Sequence, residues 1–120
     1  MITEKAKVYY TKEITPESLI RIYEKLCTPL KGNIGINVST GERWSKGYLK
    51  TNLIKPFIDK LNGMIIECNT AYPGAWNDAK EHMEVAREHG FTEMGQGVEI
   101  MDEFGEFKIP VHNGNTYNTT

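Results

Sequence analysis

Two short stretches of the sequence contain most of the side chains that could do chemistry. The first is the run Ser39, Thr40, Gly41 and Glu42, with Arg43 directly after it. Hydroxyl groups and backbone amides in such a loop can hold a small anion, and an arginine can add charge. The run has neither the Walker-type pattern nor the glycine spacing of a dinucleotide site, so an ordinary turn is the alternative.

The second stretch follows an apolar run at 64–66 and turns polar abruptly. Its hydrogen-bonding and reactive side chains are Glu67, Cys68, Asn69, Thr70 and Tyr72. A glutamate in either stretch, Glu42 or Glu67, could act as a general acid or base. The two stretches therefore supply the candidate ligand-binding residues, and the sequence identifies no catalytic residue among them.

Cys68 could be a nucleophile if His82 or His89 approached it as a base and lowered the pKa of its thiol. A buried cysteine in a strand is the more common case. Glu81 and His82, together with a glutamate from the loops, could also bind a metal ion, but no His-Glu-x-x-His spacing supports this. We therefore expect no metal site within the chain.

Four aromatic side chains accompany these stretches. They could line an aromatic cleft or cover an interface with another domain, and they are Trp44, Tyr48, Tyr72 and Trp76.

The elements that must position these residues alternate along the chain. Strands are predicted at 6–10, 33–39, from 64 onward, and at 98–102, with a return strand at 107–111 after Gly105. Three helices are predicted. The first starts at Pro16, capped by Thr15, and is terminated by Pro29 near its end and Gly32 just beyond it. The second is capped by Thr51 or Asn52 and closed by Asn62-Gly63, and the third lies at 77–90, capped by Asn77 or Asp78.

This alternation predicts a three-layer α/β fold. Its sheet would be mainly parallel, with about four strands, three crossover helices and a carboxyl-terminal edge hairpin. Residues 1–111 would form a single domain and residues 112–120 a flexible tail. Because ligands bind at the carboxyl edge of such sheets, we expect the two polar stretches to lie together there.

Composition restricts the class of protein. The chain has 120 residues and a net charge of −2, without a basic block, so no nucleic-acid partner is expected. No apolar run reaches transmembrane length, so no membrane partner is expected either. Two cysteines, Cys27 and Cys68, are too few for a disulfide scaffold and indicate a reduced, cytoplasmic setting. Cys27 falls on the apolar stripe of the first helix and is expected in the core.

Six segments in collinear order resemble one family. They lie at 8–20, 39–42 (Ser-Thr-Gly-Glu), 53–56 (Leu-Ile-Lys-Pro), 67–72 (Glu-Cys-Asn-Thr-Ala-Tyr), 89–91 (His-Gly-Phe) and 100–106. This is the domain-of-unknown-function family 362, whose members are often described as ferredoxin-like or iron–sulfur proteins. The resemblance implies an amino-terminal lobe, because family members continue into a glycine-rich segment and many end in regions that bind two 4Fe-4S clusters.

No cluster ligand carries over to this chain, since Cys27 and Cys68 are far apart and lack the close spacing of iron–sulfur ligands. No cofactor is therefore expected here. The family also has a distant likeness to the nickel-cofactor lactate racemase superfamily.

Three functions follow as expectations. The first is an α/β lobe that forms half of a ligand cleft, completed by a missing carboxyl-terminal domain or another subunit. The second is an enzyme half-site that acts on a small anion or hydroxy acid through Glu42 or Glu67. The third is a structural domain that forms a homodimer.

Overall fold

The computed structural model describes residues 5–26, 29–101, 103 and 110. The elements in chain order are α1 (Pro16–Leu26), β1 (Gly35–Asn37), α2 (Thr51–Leu61), β2 (Met64–Cys68), α3 (Ala79–Glu88) and β3 (Val98–Met101). Short 3-10 helices lie at Ala75–Asn77 and Phe91–Glu93. The mixed α/β class expected from the sequence is confirmed.

The three strands form a parallel sheet in the order β1-β2-β3. In its register, Ile36 lies opposite Ile65, and Ile65 lies opposite Val98. Helices α2 and α3 make the two crossovers, because each lies between two consecutive strands of the sheet. All three strands consequently end at the same edge, and the loops that follow β1 and β2 start side by side.

Alternation along β2 separates two faces of the sheet. Ile65 and Glu67 are buried, whereas Met64 and Ile66 are partly exposed and Cys68 is exposed. Ile65 packs in one cluster with residues of both crossover helices and of the segment after α3, namely Ile54, Ile58, Ala86, Phe91 and Met94. Within the described part of the chain, the helices therefore cover one face of the sheet.

Helix α1 packs on α2. Tyr23 meets Phe57 edge to face, with ring centroids 5.3 Å apart, and Lys60 forms an ion pair with Glu24 at 2.9 Å. No helix in the ranges given above is long and apolar enough to cross a membrane.

Several expectations about elements need correction. The strand predicted at 6–10 is wrong, because this segment is irregular and exposed. The described residues thus contribute three strands rather than four. In the described part of the chain no strand precedes α1, so two helices rather than three are crossovers there, and its layers number two instead of three. The apolar and aromatic side chains at 6–10 are typical of a strand, but a strand also needs a neighbouring strand as a hydrogen-bonding partner. Side-chain type alone does not supply that partner.

Element ends differ in detail. The predicted caps of α2 are wrong, because Lys50 is the N-cap and makes no side-chain capping bond. Asp78 caps α3 as predicted, accepting a hydrogen bond from the Glu81 backbone N–H at 3.0 Å. Cys27, the return strand predicted at 107–111 and the predicted tail fall outside the described residues, apart from Pro110.

Candidate ligand cleft

The buried carboxylate of Glu67 joins the two loops at the carboxyl edge of the sheet. It accepts hydrogen bonds from the backbone N–H of Thr40, at 3.2 Å to both oxygens, and from the Thr40 hydroxyl at 2.7 Å. His82 Nε2 lies 2.9 Å from Oε2 of the same carboxylate and donates to it. Three donors thus surround one buried charge, which satisfies the requirement that buried charges be paired and hydrogen-bonded.

The local structure of β2 and α3 explains this pairing. Glu67 is two residues after Ile65 in β2, so its side chain points to the same, helix-covered face. His82 lies one turn after the Asp78 cap, on the buried side of α3 with Val85 and Ala86. The strand and the helix therefore present the two partners to each other across the layer interface.

His82 is held on its other sides as well. Its Nδ1 lies 3.2 Å from Asn69 Oδ1, and its ring stacks on Trp76 with centroids 5.0 Å apart. Trp76 in turn donates from Nε1 to the Gly41 carbonyl oxygen at 3.3 Å. The loops after β1 and β2 are thereby connected through Trp76 as well as through Glu67.

Thr40 is fixed from both sides. While its N–H and hydroxyl donate to Glu67, its carbonyl oxygen accepts from His89 Nδ1 at 2.7 Å. The His89 ring stacks on Tyr48, with centroids 4.0 Å apart. His89, the C-cap of α3, therefore binds the loop after β1. His82, within the helix, contacts the same residue of that loop, because its Nε2 lies 3.4 Å from the Thr40 hydroxyl.

Gly41 lets this loop close on itself. Its φ of +82° favours glycine, and a Cβ added there would lie 2.7 Å from the Tyr48 Cβ. A side chain at this position would push Tyr48 away from the loop.

A cleft opens between the two loops beside this network. Its volume is about 410 Å³, within the range of small-molecule sites. The side chains that line it include Ser39, Glu42, Ser45, Tyr48, Tyr72 and Trp76.

Arg43 does not line the cleft. Its guanidinium faces α3, at 3.9 Å from Glu84 and 3.5 Å from Glu88. The arginine that the sequence offers as an anion ligand is thus paired with two carboxylates of the fold.

Eight of the nine predicted candidate residues divide into three groups. Ser39, Gly41, Glu42 and Tyr72 line the cleft. Thr40, Glu67 and Asn69 form the network beneath it. Thr70 ties its own loop together, because its N–H donates to the Trp76 carbonyl oxygen at 2.8 Å and its hydroxyl to that of Tyr72 at 3.3 Å.

Cys68 belongs to neither the cleft nor the network. It is exposed on the sheet face opposite to Glu67, so neither a buried thiol nor one activated by His82 is observed. Trp44 is 91% exposed and does not line the cleft, unlike the other three predicted aromatic residues.

The roles of His82 and His89 were not identified from the sequence. The available signal was their spacing, since His82, Val85, Ala86 and His89 recur at i, i+3, i+4 and i+7 of one helix face. Within the described ranges, no group of three or more His, Cys, Asp or Glu side chains could hold a metal ion.

No family model, curated protein or solved structure matches this chain. The resemblance to family 362 stays a prediction.

Proposed function

We propose that this chain is a ligand-binding α/β lobe, whose cleft at the carboxyl edge of the sheet is completed by another domain or subunit. The observation that carries the proposal is the cleft itself, bounded by two loops that the Glu67 network holds together. A binding site benefits from such support, because loops fixed before binding lose little freedom when a ligand arrives.

The exposure of aromatic side chains supports the second part of the proposal. Tyr72 lines the cleft and is 58% exposed, and Trp44 in the neighbouring loop is almost fully exposed. Large aromatic side chains left in solvent around a cleft are typical of a surface that a partner covers.

The enclosed position of Glu67 favours a positioning role for it over direct proton transfer. Thr40 and His82 already occupy its oxygens, and the side chain is 8% exposed. Glu42, in contrast, reaches the cleft and is the glutamate available to a ligand.

Tryptophan fluorescence offers a direct test of ligand binding. The chain has two tryptophans, so Trp44→Phe leaves Trp76 as a single probe in the cleft wall. We would screen this variant against small cationic, neutral and anionic compounds at millimolar concentration, and measure both emission and thermal unfolding. A ligand at ten times its Kd should stabilise the fold by about 1.4 kcal/mol and raise Tm by several degrees.

The matched control is Trp76→Phe, which leaves only the exposed Trp44. A compound that binds the cleft should change the emission of the first variant and not that of the second. If no compound of any charge class changes emission or Tm, the proposed function is wrong.

A further inference from the structure

We infer that the cleft selects a small organic cation, an ammonium group held by the Glu42 carboxylate against the faces of Trp76 and Tyr72. This inference rests on the proposed function, because it specifies the ligand of the same cleft. It follows from the negative charge in the lining of the cleft and from the neighbouring basic side chains, which do not line it.

Glu42 is the one charged side chain among the residues that line the cleft in the described part of the chain. Its carboxylate lies against the second loop, with Oε1 3.3 Å from the position that a Cβ on Gly74 would occupy. No side chain of the described residues forms a hydrogen bond or ion pair with it. A half-buried carboxylate without a partner favours the arrival of a cation and opposes that of an anion.

Two neighbouring basic side chains, Arg43 and Lys50, make their contacts with other groups of the fold rather than with Glu42. Arg43 faces Glu84 and Glu88 of α3. Lys50 donates from Nζ to the Lys46 carbonyl oxygen at 3.1 Å and lies 4.2 Å from the centroid of the Tyr48 ring. Neither these two basic groups nor Lys46 lines the cleft, although Lys50 lies against the Tyr48 ring of its wall, so the one charged group in the lining is the Glu42 carboxylate.

Aromatic rings supply the second half of the recognition. Trp76 and Tyr72 line the cleft together with Glu42, and His82 covers one face of the Trp76 ring. Aromatic faces attract cations, tryptophan most strongly, and a carboxylate beside aromatic rings is a typical way to bind an ammonium group. Among the described residues no three His, Cys, Asp or Glu side chains lie together in a group that could hold a metal ion, so a metal ion fits the cleft poorly.

The loop sequence predicts a ligand of the opposite charge, a small anion, and that stays a prediction. The geometry weakens it, because Arg43 was the source of positive charge and it pairs with α3. A matched set of probes decides between the two: choline, its neutral isostere with carbon in place of nitrogen, and a carboxylate of the same size.

The experiment measures Kd for each probe from Trp76 emission in the Trp44→Phe background. We expect choline to bind at least tenfold more tightly than the neutral isostere, and the carboxylate to bind most weakly. Glu42→Gln should remove the preference for choline and leave the affinity for the isostere within about twofold. Glu99→Gln, which changes an exposed glutamate of β3 outside the cleft, should leave the preference intact.

A second variant tests the aromatic wall. Tyr72→Leu keeps apolar bulk at an exposed position, so the fold should be unaffected. It should weaken choline several-fold and leave the isostere almost unchanged.

Tighter binding of the isostere or of the carboxylate would overturn the inference while the proposed function stands. A preference for choline that survives Glu42→Gln would overturn it as well. If none of the three probes binds although a compound of the wider screen does, the inference falls alone; if nothing binds in either, both fall.

Discussion

At the scale of single residues, Glu67 determines how the candidate site is built. A carboxylate in the core is costly unless donors surround it, and here Thr40 and His82 supply three of them. The same bonds fix Thr40 at the start of the loop after β1, directly before Gly41 and Glu42 of the cleft. The buried Glu67 carboxylate thus helps to position the half-buried Glu42 carboxylate of the cleft.

Glu67→Gln is the residue-scale test. The substitution keeps the shape of the side chain but removes the charge and turns one acceptor into a donor that faces Thr40 or His82. We expect the free energy of unfolding to fall by about 3 kcal/mol, because breaking a buried pair leaves its partners unsatisfied. Urea unfolding measures the difference.

The control for this prediction is Glu99→Gln, the same change on the exposed side of β3. It should alter stability by less than about 0.5 kcal/mol. Equal effects of the two substitutions would show that the Glu67 network contributes no specific stability.

At the scale of elements, Asp59 connects α2 to the turn before β3. Its Oδ1 accepts from the Gly95 backbone N–H at 2.8 Å, and its Oδ2 lies 3.0 Å from Lys55 Nζ. The Gly95 hydrogen bond, with Lys55 second, lowers the pKa of this carboxyl below its ordinary value of 3.8. The ionised form is therefore favoured in the folded protein.

Asp59 should give the fold a pH-dependent contribution. Since its folded pKa is below the unfolded one, the stabilisation is complete above about pH 5 and is lost as the pH falls through the unfolded and then the folded pKa. Asp59→Asn should be less stable than the wild type at pH 6, and the difference should shrink below pH 4. Urea midpoints of both proteins across this range test the sign; a difference that grows on acidification would contradict it.

At the scale of the whole molecule, the sheet has two unequal faces. Ile65 is fully buried under α2 and α3, whereas its neighbour Ile66 on the opposite face is partly exposed. Parallel sheets are normally covered on both faces. The stability lost on truncating each of these adjacent isoleucines therefore shows whether one face or both are covered.

Ile65→Ala should lower the free energy of unfolding by about 2–5 kcal/mol, as expected for a truncated core side chain. Ile66→Ala should cost about 1 kcal/mol, because it removes less buried area. Denaturant unfolding of the two variants measures both losses in the free energy of unfolding, so they can be compared directly. Equal costs would show that a further layer covers the second face in solution.

The amino-acid sequence by itself determined the elements whose local signals agree. Helix α2 lies where it was predicted and ends before Asn62-Gly63 as expected, although it begins one or two residues earlier than its predicted caps imply. Strand β2 begins at Met64 as expected, and Asp78 caps α3. The meeting of the two polar stretches also followed from sequence, because parallel strands with helical crossovers end at one edge. Apolar periodicity and capping act over a few residues and can be read without knowing the rest of the chain.

Only the tertiary structure decided which partners these elements find. The run Met64, Ile65 and Ile66 is apolar on both faces, so the sequence did not show that Glu67 rather than Cys68 points to the helices. Nor did it show that Arg43 turns to α3 and leaves Glu42 as the charge in the cleft. Burial, pairing and the sign of the local field depend on residues distant in sequence, and these meet only when the layers pack.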